Sequence, residues 1–155
     1  MDRNDLQDFI DRNGIAATIL PLSVHTATVA AAAEALGVSE DQIIKSLVFQ
    51  VQGEPLLVVN CGPARVDRKK LAAALGVGRK TVKFASPDLA LAATGYPVGA
   101  MPPFGHQKPL RTLVDQSVKQ LEVVYGGGGS VDAMMRLSPD ELFRITGAEA
   151  FDLSE

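Results

Sequence analysis

A chain of 155 residues with 46% hydrophobic and 21% charged side chains has the length of one domain and the composition of an ordinary soluble globular protein. One cysteine excludes an internal disulfide, and with two histidines it leaves too few nitrogen and sulfur ligands for a structural zinc site. No apolar run approaches membrane-spanning length and the charged start Met1-Asp2-Arg3-Asn4-Asp5 lacks a signal-peptide core, so the expected compartment is the cytoplasm, while a net charge of −3 argues against nucleic acid until its distribution is considered.

In chain order, residues 2 to 13 predict a first helix, with Leu6, Phe9 and Ile10 on one face and Asn13-Gly14 as its stop. Ala16 to Leu20 predicts a short strand closed by Pro21. Thr26 to Leu36 predicts a second helix, with Thr26 as N-cap, an alanine run inside and Gly37 at its end. Ser39 and Gln42 have capping-box spacing, so a helical turn leads into the apolar run that starts at Ile43. Gln52-Gly53-Glu54-Pro55 predicts a turn and Leu56 to Val59 a returning strand, together an antiparallel hairpin. Asp67 caps a helix that runs through Leu75 to Gly76.

Val82 to Ala85 predicts another short strand, and Ser86-Pro87-Asp88-Leu89 opens a helix with proline at its first position. Strands are expected over Arg111 to Val114, Leu121 to Tyr125 and Met134 to Leu137, the last of these closing the set. Ser138 and Glu141 stand in capping-box relation at the head of a final helix. No linker, repeat or low-complexity segment divides the chain. The expectation is one domain over residues 1–155, mixed α/β, with strong antiparallel content and no βαβ rhythm.

One residue breaks this pattern. Ile43-Ile44-Lys45-Ser46-Leu47-Val48-Phe49 is a buried strand with a lysine inside it. Alternation puts Ile43, Lys45, Leu47 and Phe49 on one side, so an ammonium group meets an apolar face. An unpaired buried charge is costly or loses its charge. Either Lys45 has a use there, or it lies at the strand entrance and reaches out to water. Ser46 should face the other way.

Two glycine-rich stretches stand out. Thr94-Gly95-Tyr96-Pro97-Val98-Gly99-Ala100-Met101-Pro102-Pro103-Phe104-Gly105-His106 combines close backbone approach with stiffness, which suits binding a carbonyl oxygen or ester. Gly126-Gly127-Gly128-Gly129-Ser130 lacks the lysine ending of a phosphate loop and is read as a flexible turn between strands. Charge is also segregated. Arg65, Arg68, Lys69, Lys70, Arg79, Lys80 and Lys83 lie in one window with a single acid, Asp67, on an otherwise acidic chain. Such a patch can meet phosphates, or it can be a solvated helix face.

The ordered set of motifs resembles the YbaK/prolyl-tRNA synthetase-associated editing domain family over roughly residues 20 to 150. The resemblance rests on Ile44-Lys45-Ser46-Leu47, on Arg65-Val66-Asp67 with Lys70-Leu71, and on Thr94-Gly95-Tyr96. It continues through Gly99-Ala100-Met101-Pro102-Pro103-Phe104-Gly105 and Leu137-Ser138-Pro139-Asp140-Glu141-Leu142. Ala100 and Pro102 stand where relatives often have Gly and Ser, and Asn60-Cys61-Gly62 departs from the usual Pro-Gly-Asp type of turn.

The resemblance implies a compact α/β domain with a central mixed, partly barrel-like β-sheet flanked by helices. It implies hydrolysis of the ester between a mischarged small amino acid, alanine, cysteine or similar, and tRNA, with tRNA(Pro) foremost. Lys45 and Gly99 map onto the essential lysine and the loop glycine. Ser46, Tyr96, Ala100, Met101, Pro102, Pro103 and His106 are the candidate substrate contacts. Arg65, Arg68, Lys69, Lys70, Arg79 and Lys80 are the candidate tRNA contacts. The implied partner is the aminoacyl-tRNA acceptor end, while the chain's small size and negative charge point to a synthetase, a prolyl-tRNA synthetase for one, or another factor that supplies tRNA identity; no metal, cofactor, membrane or covalent enzyme intermediate is implied. Two other readings stay open: a non-catalytic module that binds aminoacyl-tRNA or an amino acid, and a lysine enzyme that forms a Schiff base.

Overall fold

A computed structural model describes residues 1–155. Five α-helices, α1 (Arg3–Arg12), α2 (Val29–Leu36), α3 (Arg68–Leu75), α4 (Pro87–Thr94) and α5 (Pro139–Thr146), flank two sheets. The larger sheet runs in the order β4 (Val82–Phe84), β2 (Ile44–Val51), β3 (Glu54–Cys61), β5 (Thr112–Asp115), β8 (Glu149–Phe151). It is mixed: β4, β2 and β3 are antiparallel, whereas β3–β5 and β5–β8 are parallel. The smaller sheet is antiparallel, with β7 (Ala133–Leu137) between β1 (Ala17–Pro21) and β6 (Val124–Gly127). A parallel bridge from Ile43 to Tyr125 joins the two at the entrance of β2. Both sheets keep free edges, so the partly barrel-like arrangement is not a closed barrel. No helix is long and apolar enough to cross a membrane.

The β2–β3 hairpin explains the apolar run of β3. One face packs on the main core with Ile44, Val48, Leu57 and Val59, joined by Leu6, Tyr96, Phe104, Val114 and Met135. The other face, with Phe49, Leu56 and Val58, packs on Leu71 of α3, on Val82 and on Leu153. A strand buried on both faces loses the alternation of a half-exposed one. Lys45 shares the second face with Leu47 and Phe49, two residues into β2.

Local chemistry starts most helices where the sequence predicts. Asp67 accepts the N–H groups of Lys69 and Lys70, and Ser86 that of Leu89. Four expectations about caps and strands need correction. Helix α2 begins at Val29 with Thr28 as its cap; Thr26 is instead drawn inward, where its N–H and Oγ1 both reach the Val131 carbonyl. A short 3-10 helix, Gln116–Gln120, delays the predicted strand, so β6 takes in the first two glycines of the quartet. Ser138 caps Glu141, but the Glu141 carboxylate turns away to the Ala16 N–H and Arg144, which leaves half a capping box. Finally, β7 is not the last strand. The short, partly exposed β8 follows α5 and extends the parallel side of the large sheet.

The glycine quartet is a packing device rather than a flexible turn. A Cβ on Gly127 would fall onto the Met101 carbonyl, and one on Gly128 would come within 2.6 Å of the Ala133 carbonyl carbon. The Gly129 N–H donates to the Ala100 carbonyl at 2.9 Å. The bare strand therefore lets the Gly/Pro loop lie directly against it. Gly127→Ala should lower stability by about 1–3 kcal/mol through overpacking, read as a lower urea midpoint. A wild-type midpoint would contradict this packing.

Candidate active site

A pocket of about 310 Å³ opens between the start of β2, the approach to α2, the Gly/Pro loop and the small sheet. Lys45, Ser46 and Leu47 form one wall, Val98, Gly99 and Met101 another, and Thr26, Thr28, Gly127 and Met134 complete it. The strand lysine and the loop glycine, 54 positions apart in the chain, thus border the same space.

Each wall has a local cause. Gly99 takes φ +93°, a conformation that disfavours side chains, and an added Cβ there would touch Ala27 at 3.6 Å. Its N–H donates to no protein acceptor. Ser46 holds a buried Oγ with no protein hydrogen-bond partner. In a regular strand it faces away from Lys45, yet both line the pocket because it lies at the strand's end. Lys45 is half-buried, and its ammonium donates to the carbonyl of Ala64 in the loop after β3. Burial lowers its pKa, and the neighbouring Cys61 acts weakly in the other direction.

Five other expected contacts lie outside the pocket lining. Tyr96 is fully buried in the main core, its hydroxyl unpartnered and its pKa pushed up to about 12 by burial, with Asp5 and Asp2 adding to the rise. Ala100 is fully buried, and Pro102 and Pro103 are buried with it. His106 Nε2 donates to the Pro102 carbonyl at 2.7 Å, which fixes the protonated nitrogen, and its ring stands edge-on to Tyr96. These side chains are drawn inward because a loop built of small residues and prolines needs apolar backing. They hold the shape of the loop that presents Gly99 and Met101.

The basic window divides in two. Lys70 is engaged: it pairs with Asp152 at 3.0 Å and donates to the Ser154 carbonyl at 2.7 Å. Arg65, Arg68, Lys69, Arg79 and Lys80 are exposed and form none of the protein's ion pairs. Arg65 directly follows the carbonyl that holds Lys45. Two residues at the site had a sequence signal that pointed elsewhere. Gly127 was hidden in a quartet that looks like a turn. Asn60 ends the apolar run of β3 directly opposite Lys45 in the strand register.

Residues 23–145 match the family model described as an aminoacyl-tRNA editing domain. The chain is 36% identical to the protein YwhH of Bacillus subtilis (strain 168) over 125 residues, 80% of this chain and 78% of that protein. It is 32% identical to a proline–tRNA ligase of Desulfotalea psychrophila (strain LSv54 / DSM 12343) over 93 residues, 60% of this chain but 16% of the ligase. Among solved structures, one of a candidate trans-editing enzyme for prolyl tRNA synthetase superposes with a TM-score of 0.91 and 31% identity, covering 99% of this chain and 96% of that one.

Burial is the larger influence on His106 and lowers its pKa below 6.5, with the Pro102 hydrogen bond opposing. The unfolded chain therefore binds this proton more readily than the folded one. The neutral-histidine contribution to stability is complete above pH 6.5 and declines as pH falls through that value towards the folded pKa. Urea unfolding at pH 7.5 and 5.5 should show a larger acid loss for wild type than for His106→Asn. Equal losses would contradict the assignment of a neutral, buried imidazole.

Proposed function

The chain belongs to the aminoacyl-tRNA editing domain family, and we propose that it hydrolyses the ester linking a mischarged small amino acid to the terminal ribose of tRNA. Alanine and cysteine are the leading amino acids and tRNA(Pro) the leading acceptor. The observation that carries this reading is the convergence of Lys45 and Gly99 on one pocket. The family match supports the reaction class. The proline–tRNA ligase and trans-editing relatives support the choice of tRNA.

An aminoacyl ester is already activated, so hydrolysis needs orientation and charge stabilisation more than a strong nucleophile. In the proposed reaction the aminoacyl group enters the pocket with its carbonyl towards the free Gly99 N–H. The oxygen of a water adds to the carbonyl carbon, and the oxyanion of the tetrahedral intermediate is held by that N–H. The bond to the ribose oxygen then breaks, the ribose oxygen takes up a proton, and the free amino acid leaves. The Lys45 ammonium spends one N–H on Ala64. Its remaining N–H groups can meet a ribose or phosphate oxygen of the acceptor end, or the developing oxyanion.

The pocket walls fit a small side chain: Met101, Met134 and Val98 are apolar and limit the space, and Thr28 and Ser46 supply hydroxyls. The exposed cations Arg65, Arg68, Lys69, Arg79 and Lys80 suit phosphates near the acceptor end. A prolyl-tRNA synthetase that has charged the tRNA is the natural source of tRNA identity.

Deacylation of tRNA(Pro) charged with Ala, Cys, Ser or Pro tests this directly. The expected result is release of alanine or cysteine with proline spared, and a loss of about 10²-fold or more in Lys45→Ala. Undiminished hydrolysis by Lys45→Ala would remove the lysine from the mechanism. Absence of hydrolysis across charged tRNAs, with binding retained, would favour a non-catalytic binding module.

A further inference from the structure

Asn60 is a polar side chain at the end of an apolar strand, and it is fully buried. In the antiparallel register it stands opposite Lys45. Its Nδ2 donates at 2.9 Å to the Ala64 carbonyl, the same oxygen that receives the Lys45 ammonium. A longer contact of 3.3 Å reaches Ser154 Oγ. The amide orientation follows from Ala64: turned round, Oδ1 would meet the carbonyl oxygen, acceptor against acceptor. Asn60 Oδ1 is buried and meets no protein donor. A site that leaves a buried acceptor unpaired is poor for stability alone, and an aliphatic residue would suit the strand better.

Ala64 lies in a short segment that is tied down from its far side. The Asp67 N–H donates to the Leu153 carbonyl at 2.7 Å and the Glu155 N–H to the Arg65 carbonyl at 2.9 Å. Val66 bridges to Ser154, and Lys70 reaches Asp152 and the Ser154 carbonyl. Leu153 is held in turn by its N–H to Asp115 Oδ1 at 2.8 Å. Asn60 links this clasp, through Ser154, to the carbonyl that seats the lysine.

We propose that Asn60 is a positioning residue for Lys45: by anchoring the Ala64 carbonyl to β3, it fixes where the ammonium points. The inference rests on the reading of Lys45 as the group that meets the substrate. A lysine has a long, flexible stem and three donors, so β2 alone fixes its Cα and little else. A backbone carbonyl held independently of the lysine removes that freedom. Without Asn60 the Ala64 carbonyl would keep only the donor it is meant to orient. The other ionisable groups nearby do not compete for this oxygen. Cys61 contacts Ser117 at 3.3 Å, Asp115 takes Ser117 and Leu153, Asp41 lies across the adjoining groove, and Lys70 is paired with Asp152.

The test follows the Lys45 ε-carbon by NMR in lysine-labelled protein, its signal identified by its loss in Lys45→Arg. Asn60→Asp keeps the size, removes the donor and puts a carboxylate opposite the ammonium. Its Lys45 titration midpoint should rise by about one pH unit or more. Asn60→Ala removes the donor without adding charge, and its midpoint should move up towards the ordinary 10.5 as the ammonium leaves its seat. In both, kcat for deacylation should fall about 10- to 100-fold with KM nearly unchanged. If Asn60→Ala does not fold, Ser154→Ala replaces it and should shift the midpoint less, in the same direction. An unmoved Lys45 midpoint in folded variants overturns the proposal whatever their activity. If the wild type hydrolyses no misacylated tRNA, the functional reading fails on its own, and the titration still decides whether Asn60 positions the lysine.

Discussion

A half-buried ammonium near the head of a strand packed on both faces is the constraint on which the rest of this site depends. Strand β2 is covered on one side by the main core and on the other by α3, so Lys45 is partly stripped of water. The fold meets that cost with a backbone carbonyl rather than a carboxylate. The choice matters chemically. A carboxylate would neutralise the lysine and occupy it, whereas a carbonyl accepts one N–H and leaves net positive charge at the pocket wall.

The opposite wall solves a different problem. A loop rich in glycine and proline has few side chains with which to hold itself, so its rigidity is supplied by what lies behind it. Tyr96 and Phe104 bury beneath it, His106 ties back to the Pro102 carbonyl, and the glycine strand β6 lets its backbone pack closely. The outcome is a loop whose Gly99 N–H has no internal acceptor, set across a pocket from a charged lysine. In the proposed reaction both groups act on the same small ester.

Much of this was legible in the sequence, for reasons that can be named. The helix starts follow from side-chain caps at Asp67, Ser86 and Ser138, which act within three residues and need no tertiary information. Lys45 was visible because a charge inside an apolar run conflicts with its neighbours. What the sequence hid was set by distant contacts. Thr26 lost its capping role to the carbonyl of Val131, 105 positions away. Strand β8 is three residues long and exists through its partner β5. Gly126 and Gly127 look like a turn until the loop that presses on them is in place. His106 and Tyr96 sit within the loop motif, and only packing reveals that they brace it from behind.

The most direct test of the account is a structure of the protein with a hydrolysis-resistant mimic of its proposed substrate, an adenosine bearing alanine through a 3′-amide. The account predicts the aminoacyl group in the pocket between Lys45 and Gly99, with its carbonyl oxygen within hydrogen-bond distance of the Gly99 N–H. A mimic seated elsewhere, with the Lys45–Gly99 pocket untouched, would contradict it.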